Sequence, residues 1–457
     1  MTTEYIDDCL DLLESPVVDN SIESWQYRKY TPQSQADLDS VGSPIQIDIQ
    51  SSDVYINPSK SYLLIKGKLV RNDDNTPFAE NDEIALVNNA MMYLFSEIRY
   101  EINGVIVERI SHPGQASSML CYLSKPDDFS TSSALKMCWS KDTTNNADSK
   151  KYAPVTQAQA QNAAGFTPSD SATYNQGFAT RKGLLTSVNP RGSFSFSIPF
   201  DHIFGFGSYN KVIYGTSHSL VLTRSTSSNL AIHRAANVGD GKINLTHIYW
   251  KVPHVKAEPV TSMRLKEIIL SKQHIPVAFS ARTSESISVT QTENFTWRLN
   301  VAGGVEKPRW IIVGFQTDKH STQEQNPAVF DNLNLKTANA LLNDLKYPTN
   351  DVVTNFTTND YVELYDMFDE FKEQYYGFNS LVGGSQVNYP AFKSLFPIIV
   401  FDVRRQSEVL KTGAIDISLD FTFSNVAPAN TRAYALILSD RLYKFESDGK
   451  NLRMITK

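Results

Sequence analysis

The 457-residue sequence has no run of eighteen apolar residues, so no membrane-spanning helix is expected. Its first residues, Met1-Thr-Thr-Glu-Tyr-Ile-Asp-Asp-Cys9, supply acids where a secretory signal needs a basic then an apolar stretch, so secretion by a signal peptide is not expected. Cysteine is scarce. Cys9, Cys121 and Cys138 cannot all pair and none forms a C-x-x-C, which reads as reduced thiols in a cytosolic or nuclear setting. Charged residues are only 20%, and the net charge of −6 argues against a dominant nucleic-acid-binding surface, which needs clustered Lys and Arg.

Catalytic signatures are missing too. There is no G-x-x-x-x-G-K-[ST], H-E-x-x-H or G-x-S-x-G, and the eight histidines are scattered singly. His247 and His254, seven apart along a strand, would point to opposite faces, a poor metal geometry. Asp366, Asp369, Glu370 and Glu373 read as the solvated side of a helix, and Asp73-Asp74 as a turn without calcium-loop ligands downstream. Lys256, Arg264, Lys266 and Lys272, and Arg404-Arg405, read as ordinary solvated charge. No enzyme activity, cofactor or metal is therefore expected.

What is present is alternation. Ile45, Ile47 and Ile49 alternate with polar residues, the period of a sheet with one dry face. Strands are expected at 62–70, 97–102, 105–110, 194–198, 211–214, 219–223 and 242–252. A second series is expected at 266–270, 286–290, 295–301, 310–317, 396–403, 415–423, 433–439 and 441–445. Asn103-Gly104 between two such runs predicts a type I′ hairpin. A short helix is expected over 116–125. A longer one from Tyr361 keeps Leu364, Tyr365, Phe368, Phe371 and Tyr375 on one face, with Asp360 as cap and Gly377 as stop.

Residues 126–192, rich in Ser, Thr, Asn, Gln and Ala, read as a long surface loop. Pro253 and Pro259 mark a junction between two halves. Residues 1–24 hold seven acids and no Lys or Arg; Tyr5, Ile6, Cys9, Leu10, Leu12 and Leu13 give a short amphipathic stretch before Pro16. That stretch is a docking arm or an unfolded tail. The sum is an all-β chain of two tandem sandwiches with a few short helices: an arm at 1–40, a first sandwich at 41–255 with the insertion 126–192, and a second at 256–457.

Several runs, in order, carry a family resemblance. Ser43-Pro-Ile-Gln-Ile-Asp-Ile49, Asp53-Val-Tyr-Ile-Asn-Pro-Ser59 and Tyr62-Leu-Leu-Ile-Lys-Gly-Lys68 resemble the opening strands of double-jelly-roll major capsid proteins of Polinton/Maverick elements and adintoviruses. Ser21–Tyr27 with Tyr30-Thr-Pro32 resembles their N-terminal arm, and Asn88–Glu108 their next hairpin. Arg309–Gln316, Asn326-Pro-Ala-Val-Phe-Asp331, Tyr361–Tyr376, Phe396–Leu410 and Ala433–Tyr443 follow in the same order, so the resemblance covers about three quarters of the chain.

The resemblance implies two jelly rolls in one chain. It implies homotrimeric pseudo-hexagonal capsomers tiling an icosahedral shell around double-stranded DNA that the protein contacts only indirectly. Partners would be neighbouring capsomers, penton proteins and minor capsid proteins, in a virion capsid made in the host cytoplasm or nucleus. Residues 126–192 would form an outer tower. The arm, through Tyr5, Ile6, Leu10, Leu13 and Trp25, would dock onto a neighbour or a minor protein. The competing reading is a two-domain β-sandwich carbohydrate-binding protein or glycan-acting enzyme, with Trp139, Trp250, Trp297 and Trp310 available to stack on sugars.

Overall fold

Alternating burial marks strands such as Pro44–Ile49 and Phe95–Ile102, whereas Pro308–Thr317 and Thr431–Ser447 are buried along most of their length. The computed structural model describes residues 21–34, 38–50, 54–153, 155–156, 171–299, 307–343, 345–377, 385–405, 415–447 and 452–456. The first half holds β1 (Ile22–Tyr30), β2 (Pro44–Ile49), β3 (Tyr55–Ile56), β4 (Tyr62–Arg71), β5 (Ile84–Leu86) and β6 (Phe95–Ile102). It continues with β7 (Val105–Ser111), β8 (Ser193–Pro199), β9 (Ile213–Tyr214), β10 (His218–Arg224), β11 (Ile232–Arg234) and β12 (Gly241–Ala257). The second half holds β13 (Ile275–Ser288), β14 (Asn294–Arg298), β15 (Pro308–Thr317), β16 (Leu335–Leu342) and β17 (Leu345–Val353). It ends with β18 (Ile399–Asp402), β19 (Ile417–Phe423), β20 (Thr431–Ser447) and β21 (Leu452–Thr456).

Each half is a jelly roll. In the first, β1-β12-β4-β8 faces β2-β10-β6-β7, with β3 and β9 extending the far end of β12. In the second, β13-β20-β15-β18 faces β14-β19-β16-β17. Ranked in chain order among the eight strands of its two facing sheets, each half has the order 1-8-3-6 and 2-7-4-5. A helix follows the fifth-ranked strand in both: Pro113–Ser124 after β7, and Val362–Tyr376 after β17. One continuous apolar core runs through both rolls.

The hairpin forms as its sequence requires: Asn103 and Gly104 take φ of 50° and 77°, the conformation of a type I′ turn. Gly377 closes the helix Val362–Tyr376 in the left-handed region, although Tyr361 rather than Asp360 occupies the cap position.

Four expectations need correction. Residues 22–30, assigned to the arm, form β1, the first-ranked strand of the roll. Pro253 does not stop β12: its carbonyl accepts from Asn57 N–H at 3.2 Å, so its missing donor faces the place where β3 has ended, and the ladder to β1 survives. Residues 266–270 are helical, within Pro259–Leu270; Pro259 starts this helix and the Glu258 carboxylate accepts from Val260 and Thr261 N–H at 3.0 and 3.2 Å. Strands β16 and β17 were not anticipated, because Asn and Pro interrupt their pattern; Pro348 is tolerated on β17, an edge strand.

Residues 126–192 also differ from a plain loop. Their described part contains the short helices Asp127–Thr131 and Ser133–Met137 and the helix Gln176–Thr186. Trp139, Phe178, Asp142 and Arg181 within it are fully buried. Arg181 donates to an Asp142 oxygen at 2.6 Å and to the Leu86 carbonyl at 2.8 Å, tying the insertion to β5.

Candidate functional site

Among the described residues, buried polar groups link the two rolls along a seam. Strand β7 breaks strict alternation: neighbours Val107 and Glu108 are both buried, one toward the first core and one toward the second roll. The Glu108 carboxylate accepts from Gly205 N–H at 3.0 Å, Phe206 N–H at 2.8 Å and, across the seam, Arg282 N–H at 2.8 Å. Burial raises its pKa above the ordinary carboxylate range, against the opposing pull of the Arg282 charge and the three N–H donors. The Arg282 guanidinium returns to the first roll, donating to the His202 and Asp201 carbonyls at 2.8 Å each. Arg441 donates to the Val107 carbonyl at 2.6 Å, Ser284 to the Ser111 carbonyl, and Asn103 to the Leu452 carbonyl at 2.8 Å. Gly205 is required here, because a Cβ would lie 1.8 Å from the Ser280 carbonyl oxygen.

The helix Pro113–Ser124 forms the second part of the seam, with every residue buried. The run Asn326–Phe330 lies across it. Tyr93 and Tyr122 hydroxyls donate to the Pro327 and Ala328 carbonyls at 2.9 and 3.2 Å, and the Tyr122 ring sits 4.2 Å from that of Phe396. Gln316 donates to the Pro327 and Val329 carbonyls at 2.6 and 3.1 Å; buried Lys319 donates to Val329 and pairs with Asp331 at 2.8 Å. Where the helix meets Val362–Tyr376, a cavity of about 350 Å³ remains, lined by Cys121, Lys125, Arg282 and Tyr375 among others.

Sequence reasoning did not single out Glu108, Arg282 or Lys319. The available signal was the helix itself: Pro113–Ser124 carries no charge on any side, the pattern of an element enclosed all round.

Of the proposed arm residues, Tyr5, Ile6, Leu10 and Leu13 lie outside the described residues. Trp25 lies on β1 and is 38% exposed. The other four tryptophans are in the core: Trp139 and Trp250 at 0% exposure, Trp297 at 3% and Trp310 at 7%. They present no ring to a sugar. Asp366, Asp369, Glu370 and Glu373 are exposed on their helix. His247 is exposed while buried His254 bonds the Tyr30 hydroxyl at 2.8 Å, so the two do not converge. Among the described residues no three His, Cys, Asp or Glu side chains gather as a metal site. Cys121 and Cys138 are buried, and burial pushes the Cys138 thiol up to about 12. Arg404 pairs with Asp402 at 2.7 Å and lies 4.8 Å over the Trp310 ring.

Residues 146–443 match the family of double jelly roll-like domains. No curated protein matches the chain. Among solved structures, a chain of the Sputnik virophage is 10% identical, with 100% of this chain and 93% of that one covered at a TM-score of 0.57. The mavirus major capsid protein is 10% identical, with 100% and 96% covered and a TM-score of 0.51. The Faustovirus major capsid protein is 9% identical, with 94% and 92% covered and a TM-score of 0.51.

Proposed function

Because the chain belongs to the double jelly roll-like domain family, we propose that it is a major capsid protein, a structural subunit of a virion rather than an enzyme. The observation that carries this reading is the pairing of two like-ordered sandwiches through a hydrogen-bonded seam. A unit with two similar halves offers two similar outer flanks, so three copies around an axis present six, the outline that packs hexagonally. The likeness to the mavirus and Faustovirus major capsid proteins supports the same reading.

In this proposal three chains form a pseudo-hexagonal capsomer, and capsomers tile an icosahedral shell around double-stranded DNA without direct contact to it. Penton and minor capsid proteins complete the shell. The described flank of 126–192 contributes outer surface. The acidic segment ahead of β1 serves contacts between capsomers or with a minor protein, and Trp25 lies at its base. The protein is made in the host cytoplasm or nucleus. The buried tryptophans leave the carbohydrate reading without its stacking platform.

Light scattering on purified protein is the test, joined to negative-stain imaging. The expected particle has about three times the 51.2 kDa chain mass and a hexagonal outline. A stable monomer at micromolar concentration overturns the capsomer.

A further inference from the structure

The cavity of about 350 Å³ at the seam has two kinds of wall. One is apolar: Leu120 and Met137 are buried there, and Phe129 and Tyr375 are partly buried. The other is charged. Lys125, Lys136 and Arg282 line it, with Asp201 as the one acid. None of the three cations belongs to an ion pair among the described residues. Both rolls contribute, since Arg282 and Tyr375 belong to the second and the others named belong to the first.

Arg282 is already engaged, because its guanidinium donates to the His202 and Asp201 carbonyls and its charge faces the Glu108 carboxylate. Lys125 and Lys136 are left to meet a ligand. Lys125 Nζ lies 5.6 Å from the centroid of the Phe129 ring, so its charge sits where the two walls join. Burial, then the charges of Arg282 and Lys125, lowers His202 to about 3, so this lining ring adds no charge. Two lysines against Asp201 leave one positive charge. A carboxylate cancels it, whereas a phosphate monoester, with about −1.5 to −2, exceeds it. Small-ligand pockets of about 300–1,000 Å³ have this same make-up, mostly apolar with a few charged groups that fix orientation.

We propose that this cavity binds a small carboxylate with an apolar body, its head on Lys125 and Lys136 and its body against Leu120, Phe129, Met137 and Tyr375. The ligand touches both rolls, so its binding energy adds to whatever holds them together. It thereby ties the stability of the seam to the supply of a small molecule. The site is complete within one chain, so its test does not depend on capsomers forming.

The test is calorimetric titration of the full-length protein with octanoate, joined to thermal unfolding. Saturable binding at one site per chain is expected. It should be at least about tenfold tighter than that of butanoate, because each buried CH₂ strengthens binding about fourfold. Octanol, which lacks the head, should bind about fivefold more weakly than octanoate. Lys125→Gln with Lys136→Gln should weaken octanoate by about the same factor and leave octanol unchanged. Ser133→Trp, at an exposed position of the lining, should block both ligands. Octanoate should raise the unfolding temperature of the parent chain more than that of the double lysine variant. The proposal is overturned by a lack of saturable binding, by octanol matching octanoate, or by Ser133→Trp leaving binding unaltered. An equal loss of octanoate binding from Lys336→Gln, an exposed lysine on β16, also overturns it. So does a double lysine variant that is destabilised equally with and without octanoate. Lys125 would then serve only to balance the carbonyl end of the helix Pro113–Ser124.

Discussion

Glu108 of the first roll accepts the backbone N–H of Arg282 in the second at 2.8 Å, and the Arg282 side chain reaches back to the carbonyls of His202 and Asp201. Each roll thus satisfies buried polar groups of the other. Glu108→Ala leaves three N–H groups without an acceptor, and each such loss costs about 1–3 kcal/mol. The expected loss of stability in denaturant unfolding is at least about 3 kcal/mol. Glu108→Gln retains one acceptor oxygen, so a smaller loss is expected. Equal losses from the two variants would show that the acceptor oxygen kept by Gln does not hold the seam.

Gly205 and Gly183 form a contrasting pair. A Cβ at position 205 meets the Ser280 carbonyl carbon at 2.8 Å as well as its oxygen, so Gly205→Ala forces the rolls apart and is expected to lower stability by about 3 kcal/mol. Gly183, inside the helix Gln176–Thr186, has nothing within 4 Å of such an atom. Gly183→Ala is expected to raise stability by roughly 0.5–1 kcal/mol. Thermal unfolding of both variants checks the pair; a tolerated Gly205→Ala would remove the close approach of the rolls from the account.

Acid should unfold this protein early. Burial lowers His202 and His218 to about 3 and His233 to about 4. Unfolded, these rings titrate near about 6.5, so their contribution is present above that pH and is lost as pH falls toward the folded values. Three such groups give a slope of about 4 kcal/mol per pH unit between about pH 6 and 5. Glu108 acts in the opposite sense: with its folded pKa raised, its contribution is complete below the ordinary carboxylate range and fades as pH rises through its own. His202→Gln, able to keep the contact to Asn89, should reduce the acid slope by about a third. An unchanged slope in that variant would contradict the assignment.

Arg181 and Asp142 are both at 0% side-chain exposure. Arg181→Ala strands a buried carboxylate, and breaking such a pair costs about 3–5 kcal/mol. The expected local signature is faster limited proteolysis within residues 126–192 than in the parent chain. Cleavage at the parent rate would mean that the pair does not fasten the insertion.

How far the sequence could be read depended on how local the controlling physics was. The β2 alternation of Ile45, Ile47 and Ile49 and the Asn103-Gly104 turn are set by neighbours in the chain, and both were legible. The run Glu267-Ile-Ile-Leu270 suits either a strand or a helix; the Glu258 cap and Pro259 decide for the helix. The insertion 126–192 looked polar because its anchors are an Arg–Asp pair and single aromatics, which compose no periodic stripe. Glu108 was invisible for a different reason. Its partners Gly205 and Arg282 are 97 and 174 residues away, and nothing in β7 alone marks its side chain as facing a second sandwich.

In both halves the entering strand is laddered to the leaving one: Ile22 faces Ala257, and Ile275 faces Phe445. A module whose doorways adjoin can be spliced into a longer polypeptide, or lifted out of it, without unthreading what stays behind. The helix Pro259–Leu270 is then all that dictates which module is synthesised first. A permuted gene encoding 275–456 ahead of 21–257 would keep the ladders within both modules.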